Sequence, residues 1–241
     1  MPSPNNRGTR VPGKRPSLSI IIPVLRESGI IHQTLSRLRT LQGSSDVEII
    51  VVDGDPLLST IHAIDAPGVI AAAAGRGRAL QMNHGARMAS SGILLFLHAD
   101  TCLPPDALLR ISAALEDERL VAGAFDLGIT SSRPVFRITE RYVALRTRLT
   151  RIPFGDQAIF IRRDYFRQIG GYREIPLMED VELMARIRKR RDRICIIAEQ
   201  AMTSARRWEQ EGIIFCTCRN WALQLLYLLG VRPERLARWY Q

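Results

Sequence analysis

Long apolar runs are missing from this chain, and so are a disulfide framework, an internal repeat and, among its basic residues, lysine. The longest apolar stretch, Trp221 to Val231, carries Gln224 and falls short of the ~18 residues that a spanning helix needs. No membrane span is expected. The four cysteines, Cys102, Cys195, Cys216 and Cys218, are too few and too irregular for a stapled scaffold. No nearby Cys or His completes a zinc set around Cys216 and Cys218. This usage predicts a reducing compartment and a cytoplasmic setting. Residues 1–16 hold Pro, Gly, Asn and Arg with almost nothing apolar, so a disordered basic tail is expected there. No apolar segment follows its positive residues, so it does not read as a secretory signal.

What is present suffices for a core. The 241 residues are 46% hydrophobic and 24% charged, an ordinary globular balance for one large domain. Basic residues number 34 against 24 acids, a formal charge of +10, and only Lys14 and Lys189 are not arginine. Such a surface attracts anions, and the planar guanidinium grips two phosphate oxygens at once where an ammonium is a point charge.

The first hundred residues alternate strand and helix signals. Ser17 to Pro23 (SLSIIIP) and Val47 to Val52 (VEIIVV) are short β-branched runs, as in strands buried on both faces of a parallel sheet. Between them Ile31, Leu35 and Leu38 recur at helical spacing until Gly43-Ser44-Ser45. A third strand is expected at Gly68 to Ala73, a helix from about Ala79 to Ala89, and a fourth strand at Ile93 to Leu97. This is a doubly wound half, whose ligands sit at the carboxyl ends of the strands. From Pro104 the pattern mixes: a helix with Leu108, Ile111 and Leu115 inward, a strand at Val121 to Ile129, and an Arg-rich helix over 133–151. A strand over Asp156 to Ile161, a turn at Gly170-Gly171, a helix opened by Glu179-Asp180 and an apolar helix over Ile213 to Leu229 complete the reading. The resulting boundaries are a single domain over 17–241, with a nucleotide-binding half (17–103), an acceptor half (104–212) and a C-terminal helical segment (213–241).

Three acidic clusters fall at strand ends or helix starts: Asp53, His98 with Asp100, and Glu179 with Asp180. Each alone has a plain structural reading: Asp53 shaping a turn before Gly54, Asp100 capping the next helix, and Glu179 and Asp180 meeting a helix dipole. Together they suit a reaction that expels a nucleoside diphosphate. Mg²⁺ uses one or two protein carboxylates and completes its shell with phosphate and water. A second carboxylate facing an acceptor hydroxyl serves as general base.

The ordered series SIIIP-V-x-x-E (Ser19 to Glu27), VVDG (Val51 to Gly54), GRGRALQMNHGA (Gly75 to Ala86), LFLHADT (Leu95 to Thr101), GDQAIFIRR (Gly155 to Arg163), GGY (Gly170 to Tyr172), MEDVEL (Met178 to Leu183) and RRW (Arg206 to Trp208) resembles family 2 glycosyltransferases, in particular a bacterial branch with LHADT and GDQ. The resemblance implies an α/β GT-A fold, a Rossmann-like nucleotide-diphospho-sugar transferase with a mixed, mainly parallel sheet flanked by helices. It implies inverting transfer of a sugar from a nucleotide-diphosphate donor to an unidentified hydroxyl acceptor. Pro23, Leu25, Glu27 and Asp53 match positions that hold the nucleoside. Arg76, Arg78 and Asn83 match the segment near donor ribose and phosphates, and Asp156 and Gln157 the GDQ substrate segment. Asp100 matches the last acid of the metal motif, and Asp180, beside Glu179, the acceptor base. Arg206, Arg207 and Trp208 resemble an element that closes over the donor. Two departures stand out. His98 occupies the place of the motif's first acid, so a divalent metal, Mn or Mg, would rest on Asp100 and His98, a pair that suits Mn²⁺ better. Gly54-Asp55-Pro56-Leu57-Leu58 replaces the usual continuation after Asp53, so part of the nucleotide contact is either missing or moved to Asp55.

Two other readings stand beside this one. A sugar-nucleotide pyrophosphorylase would carry a Gly-rich loop after the first strand, where Pro23 to Gly29 has one glycine. A non-catalytic basic protein binding nucleic acid or anionic lipid would leave the strand-end acids unexplained; nucleic acid is not the expected partner. The arginines of 133–151 and 186–193 read first as solvated faces. With the apolar stretch 213–229 they would also suit peripheral contact with an anionic membrane on its inner face.

Overall fold

Alternate residues of Leu18–Val24 (β1) point to opposite faces of a sheet, and both faces are covered by apolar side chains. The computed structural model describes residues 17–240, apart from the side chains of Arg207, Ile214 and Leu228. The expected basic tail, 1–16, lies outside the described residues. From β1 the chain runs through α1 (Ile31–Arg39), β2 (Val47–Asp53), α2 (Ser59–His62), β3 (Val69–Ala73), α3 (Arg78–Met88) and β4 (Ile93–Phe96). It continues through α4 (Ala107–Ala114), β5 (Leu120–Thr130), α5 (Pro134–Thr150), β6 (Phe160–Arg162), α6 (Arg163–Gln168) and α7 (Glu179–Lys189). It ends with β7 (Arg193–Ser204), α8 (Arg206–Glu211), α9 (Ile213–Leu228) and α10 (Pro233–Tyr240).

One seven-stranded sheet has the order β3-β2-β1-β4-β6-β5-β7. Its first four strands are parallel neighbours, β6 runs antiparallel to β4 and β5, and β7 pairs parallel with β5. Ile20 and Ile22 face α1 and α4 on one side, whereas Ile21 joins Val52 and Leu94 under α3 and α7 on the other. The mainly parallel, helix-flanked sheet read from sequence is therefore present.

Two elements differ from the sequence expectation. The run 156–161 is split: Gly155–Gln157 forms a 3-10 turn, and the strand is the shorter β6, Phe160–Arg162. Ala158 between them holds a left-handed φ of 51°, which ends the turn and re-aims the chain. The stretch after 192, absent from the sequence reading, is the twelve-residue β7. It is an edge strand with β5 on one side and register irregularities against it, so its residues alternate in burial only weakly.

The close approach of α3 to the sheet rests on Gly85. A Cβ there would lie 2.5 Å from Ile21 Cγ2 and 3.2 Å from Val52 Cγ2. Ile21 is wholly buried and stiff at χ1, so it cannot swing away, and the helix-propensity gain of alanine is outweighed. Gly85→Ala is expected to destabilise the protein by about 1–3 kcal/mol, read as a lowered urea midpoint at unchanged slope; an unchanged or raised midpoint would contradict this packing.

Candidate active site

The parallel register of β1, β2 and β4 places their C-terminal ends together, so the loops after Val24, Asp53 and Phe96 open on one edge of the sheet. After β2, Asp53 is wholly buried and accepts hydrogen bonds from the N–H groups of Asp55 (2.8 Å), Thr60 (3.0 Å) and Ile61 (3.2 Å). Its carboxylate is spent on shaping this loop, the structural role, and any part in holding a nucleoside passes through the loop. Thr60 Oγ1 accepts from the Glu27 N–H at 3.0 Å, tying the β2 loop to the β1 loop. Asp55 accepts from Ser59 Oγ at 2.6 Å, but its buried Oδ1 has no hydrogen-bond partner and lies 3.7 Å from Arg26 Nε.

The acids converge around Arg78, at the first turn of α3. Its Nε lies 3.7 Å from Glu179 Oε1. The Arg78 side chain is 42% exposed; its partial desolvation works against the cation, but Glu179, then Tyr240, Asp180 and Asp156, outweigh it and raise the pKa. Glu179 is itself raised by burial and by the adjacent Asp180. Asp180 is oriented by two N–H groups: Oδ2 accepts from Gly155 at 2.6 Å and Oδ1 from Val181 at 2.7 Å. A Cβ on Gly155 would sit 3.0 Å from His98 Nε2 and 3.3 Å from Asp180 Oδ2. His98 from the loop after β4 and Asp180 from α7 therefore close on the same glycine.

Burial, with Arg78 nearby, pushes the His98 pKa down to about 3, so the imidazole is neutral at any working pH. Burial raises Asp100, while Arg206 and Arg78 pull it back. Burial also raises Glu27, against Arg206 and with Asp100. Asp100 thus feels both Arg206 and Arg78, and Arg206 also acts on Glu27. Asp156 is pushed up to about 6 by burial first and by Asp180 second, and its buried Oδ1 has no hydrogen-bond partner.

Several predicted residues serve the frame. Gln157 is wholly buried; its Nε2 donates to Phe125 O (2.9 Å), and its Oε1 accepts from Phe154 N–H, Arg146 and Thr147. It fixes the GDQ turn from a position closed to solvent. Asn83 exchanges two hydrogen bonds with the Tyr172 backbone, at 2.8 and 2.9 Å, joining α3 to the Gly-Gly-Tyr turn. Gly171 is needed there, with φ +66° and Asn83 Oδ1 2.7 Å from a notional Cβ. A cavity of about 390 Å³ lies beside this junction, against Asn83, Arg167 and Gly171. Trp208 stands edge-on to Phe136 at 6.0 Å, packed on the β5–α5 core, so its ring is turned inward. Arg206 and Arg76 are exposed, Pro23 is buried, and Leu25 is partly exposed where β1 ends. The side chain of Arg207 lies outside the described residues. Sequence reasoning missed Arg146, whose guanidinium lies 3.5 Å over the Phe154 ring and counters the charge of Asp156. Three other arginines on α5 hid it. It also missed Tyr240, which no motif marks and which reaches the field of Arg78.

Among the described residues, no group of three or more His, Cys, Asp or Glu is placed to hold a metal ion. A neutral imidazole and a carboxylate two residues apart, with the orphaned Asp156 oxygen nearby, still fit an ion whose shell is completed by phosphate and water. The mixed N and O donors suit Mn²⁺.

This fold, with its strand-end acid cluster, defines a GT-A glycosyltransferase. Residues 19–171 match the model of glycosyl transferase family 2, and the chain belongs to that family. Among solved structures it is similar to the mannosyltransferase PcManGT from Pyrobaculum calidifontis in complex with GDP-Man and Mn²⁺, at 18% identity and TM-score 0.56, over 80% of this chain and 57% of that one. It is also similar to S. aureus TarS 1-349 in complex with UDP, at 12% identity and TM-score 0.59, over 78% and 60%. The chain thus spans less than two thirds of either neighbour. No protein of curated function matches it.

Two tests follow from this geometry. Asp156 keeps its proton to higher pH folded than unfolded, so its contribution is full below pH ~4 and is lost as pH rises toward about 6. Asp156→Asn, which cannot ionise, should raise the melting temperature at neutral pH and leave it unchanged near pH 4, an effect of order 1 kcal/mol; equal shifts at both pH values would refute it. Gly155→Ala forces His98 and Asp180 apart and should lower turnover by about 10- to 10²-fold with folding retained; full activity would show that their spacing does not matter.

Proposed function

We propose that this glycosyltransferase works with inversion and metal assistance, moving a sugar from a nucleoside diphosphate to a hydroxyl acceptor. The observation that carries the reading is the closure of His98 and Asp180 on Gly155, with Asp100 and Asp156 in the field of the same Arg78. That arrangement supports reading Asp180 as a base, Arg78 as a fixed cation and Asp100 with His98 as a metal-competent pair.

Asp180 Oδ2 or Oδ1, aimed by the Gly155 and Val181 N–H groups, accepts the proton of the acceptor hydroxyl. The acceptor oxygen then attacks the anomeric carbon opposite the departing diphosphate, so one C–O bond forms as the other breaks and the anomeric configuration inverts. Asp100 and His98 would hold a divalent ion, Mn or Mg, which when bound supplies positive charge to the leaving oxygens. Arg206 and Arg78 add fixed charge at Asp100. The loops carrying Leu25, Glu27, Asp53 and Asp55 receive the nucleoside, and Arg76, exposed just before α3, meets the donor ribose or phosphates. Glu179 holds Arg78 in place.

GDP-mannose and UDP-sugars are the first donors to try, because the neighbouring structures hold GDP-Man and UDP. Asp180→Asn is expected to lower donor turnover or hydrolysis by about 10²- to 10⁴-fold while nucleotide binding persists. Asp100→Ala should abolish the Mn²⁺-dependent part of the thermal stabilisation by nucleotide. Wild-type rates and metal dependence in both variants would remove the assigned roles.

A further inference from the structure

We infer that the outward faces of α5 and α9 form a docking surface for an anionic lipid bilayer. On α5 the inward face is already apolar, through Phe136 and Val143. Its outward face carries a second stripe, Val135, Ile138, Tyr142, Leu145 and Leu149, at steps of three and four. Three of these are strongly exposed: Ile138 at 68%, Leu145 at 60% and Leu149 at 75%. A helix that is apolar on both sides is normally covered on both.

The second helix repeats the pattern. Phe215, Leu225 and the C-capping Leu229 are 58–71% exposed, with Trp221 at 44%, and Cys218 and Ala222 fill the same face. Tyr142 of α5 and Trp221 of α9 stand ring to ring at 4.7 Å, so the stripes are continuous. A patch built from two helices in this way is far more than scattered surface hydrophobics. Tyr and Trp at its seam are residue types favoured where hydrocarbon meets headgroups.

The charge at its border decides the occupant. Glu140, the one acid of α5, is buried and bonded to the Ile129 N–H and to Arg137. Arg133, Arg141 and Arg151 are exposed along and beyond the same helix, whereas Arg148 is paired with Asp126. At its C-terminal end Arg151, Arg188 and Arg191 line a cavity of about 190 Å³ that also holds Asp192. No acid lies within α9; Glu211 before it pairs with Arg219, and Glu209 and Glu234 sit on α8 and α10. Two copies meeting on this face about a two-fold axis would set each basic border near its own image. An anionic leaflet instead attracts those arginines while its acyl region takes up the apolar stripe.

The inference does not depend on the catalytic reading, because its test needs no donor. The whole chain is sedimented with vesicles of phosphatidylcholine alone and of phosphatidylcholine mixed with phosphatidylglycerol, at low and high salt. Binding to the mixed vesicles, weakened by salt, is expected. The Ile138→Glu/Leu145→Glu protein, checked by melting temperature, should bind them about tenfold less or weaker still. Arg141→Ala/Arg133→Ala, which spares the apolar stripe, should reduce binding to the mixed vesicles only. Absence of wild-type binding, or equal binding by the glutamate variant, would overturn the proposal. So would a wild-type dimer in size-exclusion chromatography that the glutamate variant dissolves, since the face would then belong to a second copy.

Discussion

Everything at the strand ends depends on one cation held among carboxylates. Glu179, Asp180, Asp156 and Asp100 all act on, or are acted on by, Arg78. Burial raises the pKa values of Glu179, Asp156 and Asp100, neighbouring carboxylates add to it at Glu179 and Asp156, and Arg78 works against all three. On the proposed reading a donor diphosphate would add further negative charge there, and a divalent ion together with Arg206 would offset it.

Charge alone would not place a base and an imidazole on opposite sides of one glycine. That task falls to backbone geometry. Gln157 ties the GDQ turn to Phe154 through its oxygen and to Phe125 of β5 through its amide N–H, and in that turn the Gly155 N–H donates to Asp180. Met178, in a left-handed conformation at φ 67°, turns the chain into α7 just before Glu179. From the other side Gly85 lets α3 sink onto Ile21 and Val52, which fixes the height of Arg78 above the sheet. The chemistry sits on loops, but each loop is pinned by a buried amide or a close-packed glycine.

This division explains what could be read in advance. The parallel half was legible because buried parallel strands are uniformly β-branched and end in turn residues; β1, β2 and β4 fall within a residue or two of their expected limits. The edge strand β7 was not, because RICIIAEQAMTS mixes polar and apolar residues on a half-covered edge, and an arginine run before it reads as a solvated helix. Arg186, within that run, is in fact drawn inward to Glu182 and the carbonyls of Ile169 and Gly171. Motif residues raise a different difficulty. A fixed residue type at a fixed place is needed equally by a ligand and by a frame. Asn83, Gln157 and Asp53 carry frame hydrogen bonds, whereas His98 and Asp180 meet at Gly155, and composition cannot separate the two groups.

The C-terminal helices connect that cleft to the outer surface. Leu177, one residue before Met178, packs with Leu223 of α9 and Leu236 of α10. Tyr240 at the end of α10 reaches the field of Arg78 and stacks near Arg219 of α9. The start of α7, which carries both Glu179 and Asp180, is therefore braced by the helix whose opposite face bears Phe215, Leu225 and Leu229. Leu223 and Leu236 thus tie the start of α7 to the helix that carries the exposed apolar stripe, and side chains interlocked in a packed core do not yield by soft deformation.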